Sequence, residues 1–96
     1  AQVINMKTTL TLDNVTVGQL ANDIKATLND LVTDLKKGWS EQPIIVRIAH
    51  IDARLLNIPG VIDVTGTTLN DQGANIELDE EAVPELGEVV INGQTI

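Results

Sequence analysis

The stretch "NIPGVIDVTGTTLNDQGANIELDEEAVPELG", residues 57–87, decides how the C-terminal half folds. Pro59-Gly60 stops any preceding helix and launches "VIDVTGTTL", a run rich in β-branched residues that reads as a strand. Ile62 and Val64 share one parity and Leu69 does not, so a bulge at the intervening Gly66 would reset the phase. "NDQG" has the composition of a hairpin turn. "ANIEL" alternates, which points Ala74, Ile76 and Leu78 inward and Asn75 and Glu77 outward. Residues 61–79 are therefore predicted to form an antiparallel hairpin. "DEEAVPELG" is expected to be a loop or single turn from which Val83 and Leu86 reach back to the core, and "EVVI" a short last strand.

Working back from residue 57, "AHIDARLLNI" has helical spacing, with Ile51, Leu55 and Ile58 on one face and Leu56 beside it. "PIIVRI" after Pro43 is short and β-branched, and suits an inner strand. The clearest element precedes it. Val17, Leu20, Ile24, Leu28, Leu31 and Leu35 recur at steps of three and four, with Val32 widening the stripe. Thr16 and Gln19 have capping-box spacing, Lys36 and Lys37 suit the negative end of the macrodipole, and Gly38 is placed to end the helix. "MKTTLTL" alternates, with Met6, Thr8, Leu10 and Leu12 on one side, as in a half-buried strand.

The order is β-α-β-α-β-β with a short terminal strand. This is an α+β fold of two layers, with two helices on one face of a small mixed sheet. The other face is open, or covered by the parent chain or a partner. At 96 residues the chain is one domain, residues 1–96. Its start at Ala1, close to a strand pattern, suggests a piece excised from the C-terminal region of a longer protein. With no Phe, no Tyr and one Trp, the core must be Leu, Ile and Val.

The net charge of −8 is unevenly spread. Residues 1–58 hold all six bases and six acids, while residues 59–96 hold eight acids and no base. Nucleic acid and anionic membranes require Lys and Arg to neutralise phosphate, so neither is an expected partner. No apolar run has the length of a bilayer span.

Catalytic constellations are poor. There is no Cys, His50 is the single histidine with Asp52 two residues on, and Ser40, the sole serine, lacks the glycines of a nucleophile elbow. "ELDEEAVPELGE" lacks the central Gly of a calcium loop and carries apolar residues at expected ligand positions. No phosphate-binding glycine spacing occurs. No catalytic residue, metal or cofactor is assigned. Trp39, just past Gly38, reads as a lid over the end of the long helix or as an interface anchor. Asp79, Glu80, Glu81, Glu85 and Glu88 read as a solvated rim or as a contact surface for a basic partner.

"HIDARLLNIPGVIDVTGTTLN" followed by "ANIELDEEAVPELGEVVI" resembles the C-terminal region of baseplate J-like proteins of contractile phage tails and related prophage elements. "TLTLDNVTVGQLANDIKATLNDLVTDLKKGW" is similar to that family's strand and long helix, so the resemblance spans roughly residues 8–91. It implies structural work without catalysis. The expected role is assembly of the baseplate wedge in the virion tail, put together in the bacterial cytoplasm. The implied partners are neighbouring wedge or hub proteins and other copies of the chain. The rival readings are a small acidic ligand- or cation-binding domain and, third, an enzyme fragment.

Overall fold

A computed structural model describes residues 2–37, 44–78 and 83–96. The elements are β1 (Gln2–Leu12), α1 (Val17–Lys37), β2 (Ile45–Val46), α2 (Ile48–Leu56), β3 (Val61–Leu69), β4 (Ile76–Glu77), β5 (Pro84–Ile91) and β6 (Gln94–Thr95). The predicted α+β class, with two helices and a mixed sheet, is what the chain forms. The main sheet has the order β3-β1-β5-β6, and β2 pairs with β4 in a separate two-stranded sheet.

β1 is the central strand, antiparallel to β3 and parallel to β5. Its burial alternates as the sequence parity requires: Ile4, Met6, Thr8 and Leu10 are buried, while Val3, Asn5, Lys7 and Thr9 are exposed. Both helices cover the buried face, α1 packing on β5 and α2 on β3. The stripe of α1 lies in the core from Val17 to Val32, with Leu35 packed at its margin. Its start is the predicted capping box. Gln19 N–H donates to Thr16 Oγ1 at 3.2 Å, and Thr16 N–H donates to Gln19 Oε1 at 2.9 Å. Ile24, Leu28, Ile51, Leu55, Leu69, Val89 and Ile91 complete an aliphatic interior, each contributing about 1.5–3 kcal/mol of transfer free energy.

The strands depart from the sequence expectation in three places. First, residues 61–79 are not a paired hairpin. Leu69 and Gln72 do exchange backbone hydrogen bonds around a tight turn, with Asn70 and Asp71 at positive φ. The chain then leaves β3, and β4 pairs with β2 instead. The reason is burial and capping. Ile76 lies opposite Val46, Leu78 N–H donates to the Ile44 carbonyl, and Asn75 Oδ1 accepts the orphan N–H of Ile48 at the start of α2. Ala74, expected inward, is exposed.

Second, "PIIVRI" is not an inner strand of the main sheet. Ile44 and Val46 are buried, but they belong to the small side sheet. The path through both helices from β1 to β3 therefore joins antiparallel neighbours, and among the described residues the parallel pair is β1 with β5.

Third, "PELG", residues 84–87, is strand, not turn. Pro84 opens β5, a position where its missing N–H costs little. Gly87 sits in a bulge: Ile4 to Met6 on β1 faces Leu86 to Val89 on β5, two steps against three. Asn5 Oδ1 fills that bulge and accepts the Glu88 N–H at 2.8 Å. β6, not anticipated, returns from β5 through Asn92-Gly93, both at positive φ.

The bulge expected at Gly66 is present. Its φ is +64, and Lys7 to Thr9 on β1 faces Thr68 to Thr65 on β3.

Candidate interaction surface

Of the acidic segment's five contact candidates and Trp39, two are described residues. Glu85 and Glu88 are exposed on β5; Trp39, Asp79, Glu80 and Glu81 lie outside the described residues. Register puts Glu85 opposite Val3, which belongs to the exposed parity of β1. Glu88 accepts a hydrogen bond from Thr95 Oγ1 at 3.1 Å, while its own N–H is held by Asn5. Both carboxylates thus belong to the sheet face that the helices leave open.

The same face carries residues that the acidic pattern alone did not single out. Lys7 stands in one row with Thr68 on β3 and Val90 on β5, and Thr9 stands opposite Thr65. A recess of about 170 Å³ over this row is lined by Asn5, Lys7, Asp71, Glu88 and Val90. Val3, 47% exposed, adds an apolar spot beside Glu85. The odd parity of β1 was the signal for this set. The open face therefore presents threonines and valines around one lysine, with acids at the β5 side.

On the helix layer, a broader depression of about 530 Å³ lies where α1 and α2 meet. It is lined by Asp23, Thr27, Asp30, Arg54, Asn57 and Pro59. Arg54 is already engaged, its Nη2 2.7 Å from Asp34 Oδ2, and Lys37 Nζ lies 3.8 Å from Asp34 Oδ1. The hydrogen bond from Arg54, reinforced by the charges of Arg54 and Lys37, holds the Asp34 carboxyl below the usual aspartate range against an opposing effect of desolvation.

Between helix and sheet runs a short polar chain. Thr67 Oγ1 donates to Asp52 Oδ1 at 2.5 Å. Its single proton being committed there, Thr67 accepts from Thr8 Oγ1, 2.8 Å away. Thr8 Oγ1 also points at the Thr65 carbonyl, 3.2 Å away. Asp52 is therefore tied into the packing of α2 against β1 and β3, not aimed at His50, which is exposed on α2. Ser40 lies outside the described residues. No group of three or more His, Asp or Glu side chains is placed to hold a metal ion among the described residues. No helix there is long and apolar enough to cross a membrane.

A family model described as the Baseplate J-like protein C-terminal domain matches residues 4–92. That span runs from the first buried residue of β1 to the turn after β5, so it takes in both helices and most of the main sheet, leaving out Val3 and β6. Comparison with curated proteins gives no match.

Proposed function

The chain belongs to the Baseplate J-like protein C-terminal domain family, and so to the structural proteins of the phage tail baseplate; on that premise we propose that it is a wedge assembly module without catalytic duty. In this reading residues 1–96 are one domain of a longer protein. The domain is assembled in the bacterial cytoplasm and carried in the virion tail. Its contacts are to neighbouring wedge or hub proteins, or to further copies of itself.

Family membership is the observation that carries this reading. The layout of the fold supports it: the helices cover one sheet face, while the other carries solvated Glu85, Glu88 and Lys7. We assign the contact to the acidic residues Asp79, Glu80, Glu81, Glu85 and Glu88 of the C-terminal segment, with Trp39 as an apolar anchor. A basic neighbour is then the matching partner, with charge setting pairing and rate of encounter more than raw affinity.

The test is a pull-down with the neighbouring baseplate proteins. Glu80→Lys with Glu81→Lys should leave the circular dichroism spectrum unchanged and weaken capture. Glu85→Lys should add to the loss. Capture indifferent to all three substitutions would remove the acidic segment from the proposal.

A further inference from the structure

We propose that Asn92-Gly93 is a latent site of intramolecular deamidation, and that β1 keeps it shut in the folded domain. The inference is independent of the assembly role.

The dipeptide forms the tip of the β5–β6 hairpin, with φ of 52 at Asn92 and 79 at Gly93. Gly93 has no side chain to shield its nitrogen, and an added Cβ would meet nothing within 4 Å. Ladder pairing across this turn falls on Ile91 and Gln94, and Gly93 N–H has no hydrogen-bond partner among the described residues. The nucleophile is thus free. The electrophile is not. Asn92 Oδ1 accepts Leu10 N–H at 2.8 Å, and Asn92 Nδ2 donates to the Leu10 carbonyl at 3.1 Å. The Asn92 N–H itself donates to the Thr8 carbonyl at 3.1 Å.

The chemistry requires Gly93 N to lose its proton to solvent base and attack Asn92 Cγ. A new C–N bond forms, the Cγ–Nδ2 bond breaks, and Nδ2 takes a proton from water and departs as ammonia. Water then adds to one or the other carbonyl of the cyclic imide, opening it to aspartate or to isoaspartate. Turning Cγ toward Gly93 N breaks both bonds to Leu10, so the reaction waits for β5 and β1 to part locally. The product also weakens the contact it replaces. Aspartate has no proton for the Leu10 carbonyl and sets a negative charge beside it. Isoaspartate lengthens the backbone within a two-residue turn. Asn70 makes a similar set of bonds, but its next residue, Asp71, carries a side chain that hinders attack.

The experiment incubates the full chain in mildly alkaline buffer, folded and in urea, and follows each Asn by peptide mapping and an isoaspartate assay. Asn92 should convert first in the unfolded chain, and at least about tenfold more slowly in the folded one. Below the unfolding midpoint, its rate should climb with urea. Gly93→Ala should suppress conversion in both states. Equal rates in the folded and unfolded chain, or conversion led by Asn70, would overturn the proposal.

Discussion

Asn70 and Asn92 grip the same strand from its two edges. Each follows a strand that flanks β1, each adopts positive φ, and each uses backbone and side-chain amides on β1. Asn70 exchanges 2.8 Å bonds with Asn5 through its N–H and its Oδ1, and its Nδ2 reaches the Val3 carbonyl at 3.3 Å. Asn92 does the equivalent with Thr8 and Leu10. A side-chain amide carries an acceptor and donors on one carbon, so it copies a peptide group and lengthens the ladder past the strand's end. Asparagine is also the non-glycine residue that best tolerates the left-handed region.

Replacing either residue separates these two duties. Asn92→Gly keeps the backbone and loses the amide, costing about 1 kcal/mol for each exchanged hydrogen bond. Asn92→Ala loses the amide and adds left-handed strain of about 1–2 kcal/mol. Urea unfolding should therefore rank the midpoints as parent, Asn92→Gly, Asn92→Ala, with the same order at Asn70. Equal midpoints for the two Asn92 variants would mean that conformation contributes nothing there.

The two bulge glycines should respond differently. At Gly66 an added Cβ meets no atom within 4 Å, so Gly66→Ala is opposed by φ alone, about 1–2 kcal/mol. At Gly87 the Cβ would run into Asn5 Oδ1 and the Val3 side chain. Gly87→Ala must displace the amide that holds Glu88 N–H, so about 2–3 kcal/mol is expected. Adding Asn5→Gly should recover the part of the clash that falls on Asn5, but neither the contact with Val3 nor the hydrogen bond, and a double-mutant cycle measures the split. A strictly additive cycle would show that the two residues do not meet.

The polar chain from Asp52 to Thr8 predicts coupling between helix and sheet. Thr67→Val and Asp52→Ala should each destabilise by about 1–2 kcal/mol, because each leaves a partly buried group without its partner. The double variant should cost less than the sum, since the second substitution removes a group already orphaned. Full additivity in thermal or urea unfolding would break the proposed link.

How much of this was legible beforehand depended on whether an element's partners were local. α1 was readable to its first residue, because its stripe and capping box lie within its own sequence. The parity of β1 and the bulge at Gly66 were readable for the same reason. β4 was not. Its alternation fits a hairpin with β3, but Ile76 and Leu78 are drawn to Val46 and Ile44, some thirty residues back. Pro84 and Gly87 looked like turn residues because the residue that makes Gly87 useful is Asn5, at the far end of the chain. Asn92-Gly93 carried a plain hairpin signal that a reading centred on the acids passed over. Glu85 and Glu88 were visible as charges, yet their common face depends on the bulge between them, which only pairing with β1 reveals.

Acid should loosen the Asp34 contact in a defined direction. The Arg54 guanidinium depresses its carboxyl, so the ionised form is favoured by folding. That contribution is present above the ordinary aspartate value of 3.8 and is lost as pH falls through the lower value of the folded protein. The pair is exposed, so its effect on stability is small. The sharper readout is NMR titration of the Asp34 carboxyl carbon: Arg54→Ala should raise its midpoint. An unmoved midpoint would place the cause elsewhere.

The outer edge of β3 has no ladder partner among the described residues, yet it is not a bare template for another strand. Asp63 Oδ1 accepts the N–H of Val64 at 2.9 Å, and the bulges at Ile62 and Gly66 bend the strand. Ile62 stays 58% exposed and Asp63 is the single charge in the strand, so the carboxylate guards an otherwise adhesive segment. Asp63→Ala uncovers the Val64 N–H and removes the charge. It should raise concentration-dependent self-association in sedimentation velocity while moving the unfolding midpoint little. Asp63→Asn keeps an acceptor in place and should fall between parent and alanine. If the alanine variant sediments as the parent does at every concentration, the bulges alone protect the edge and Asp63 has no part in it.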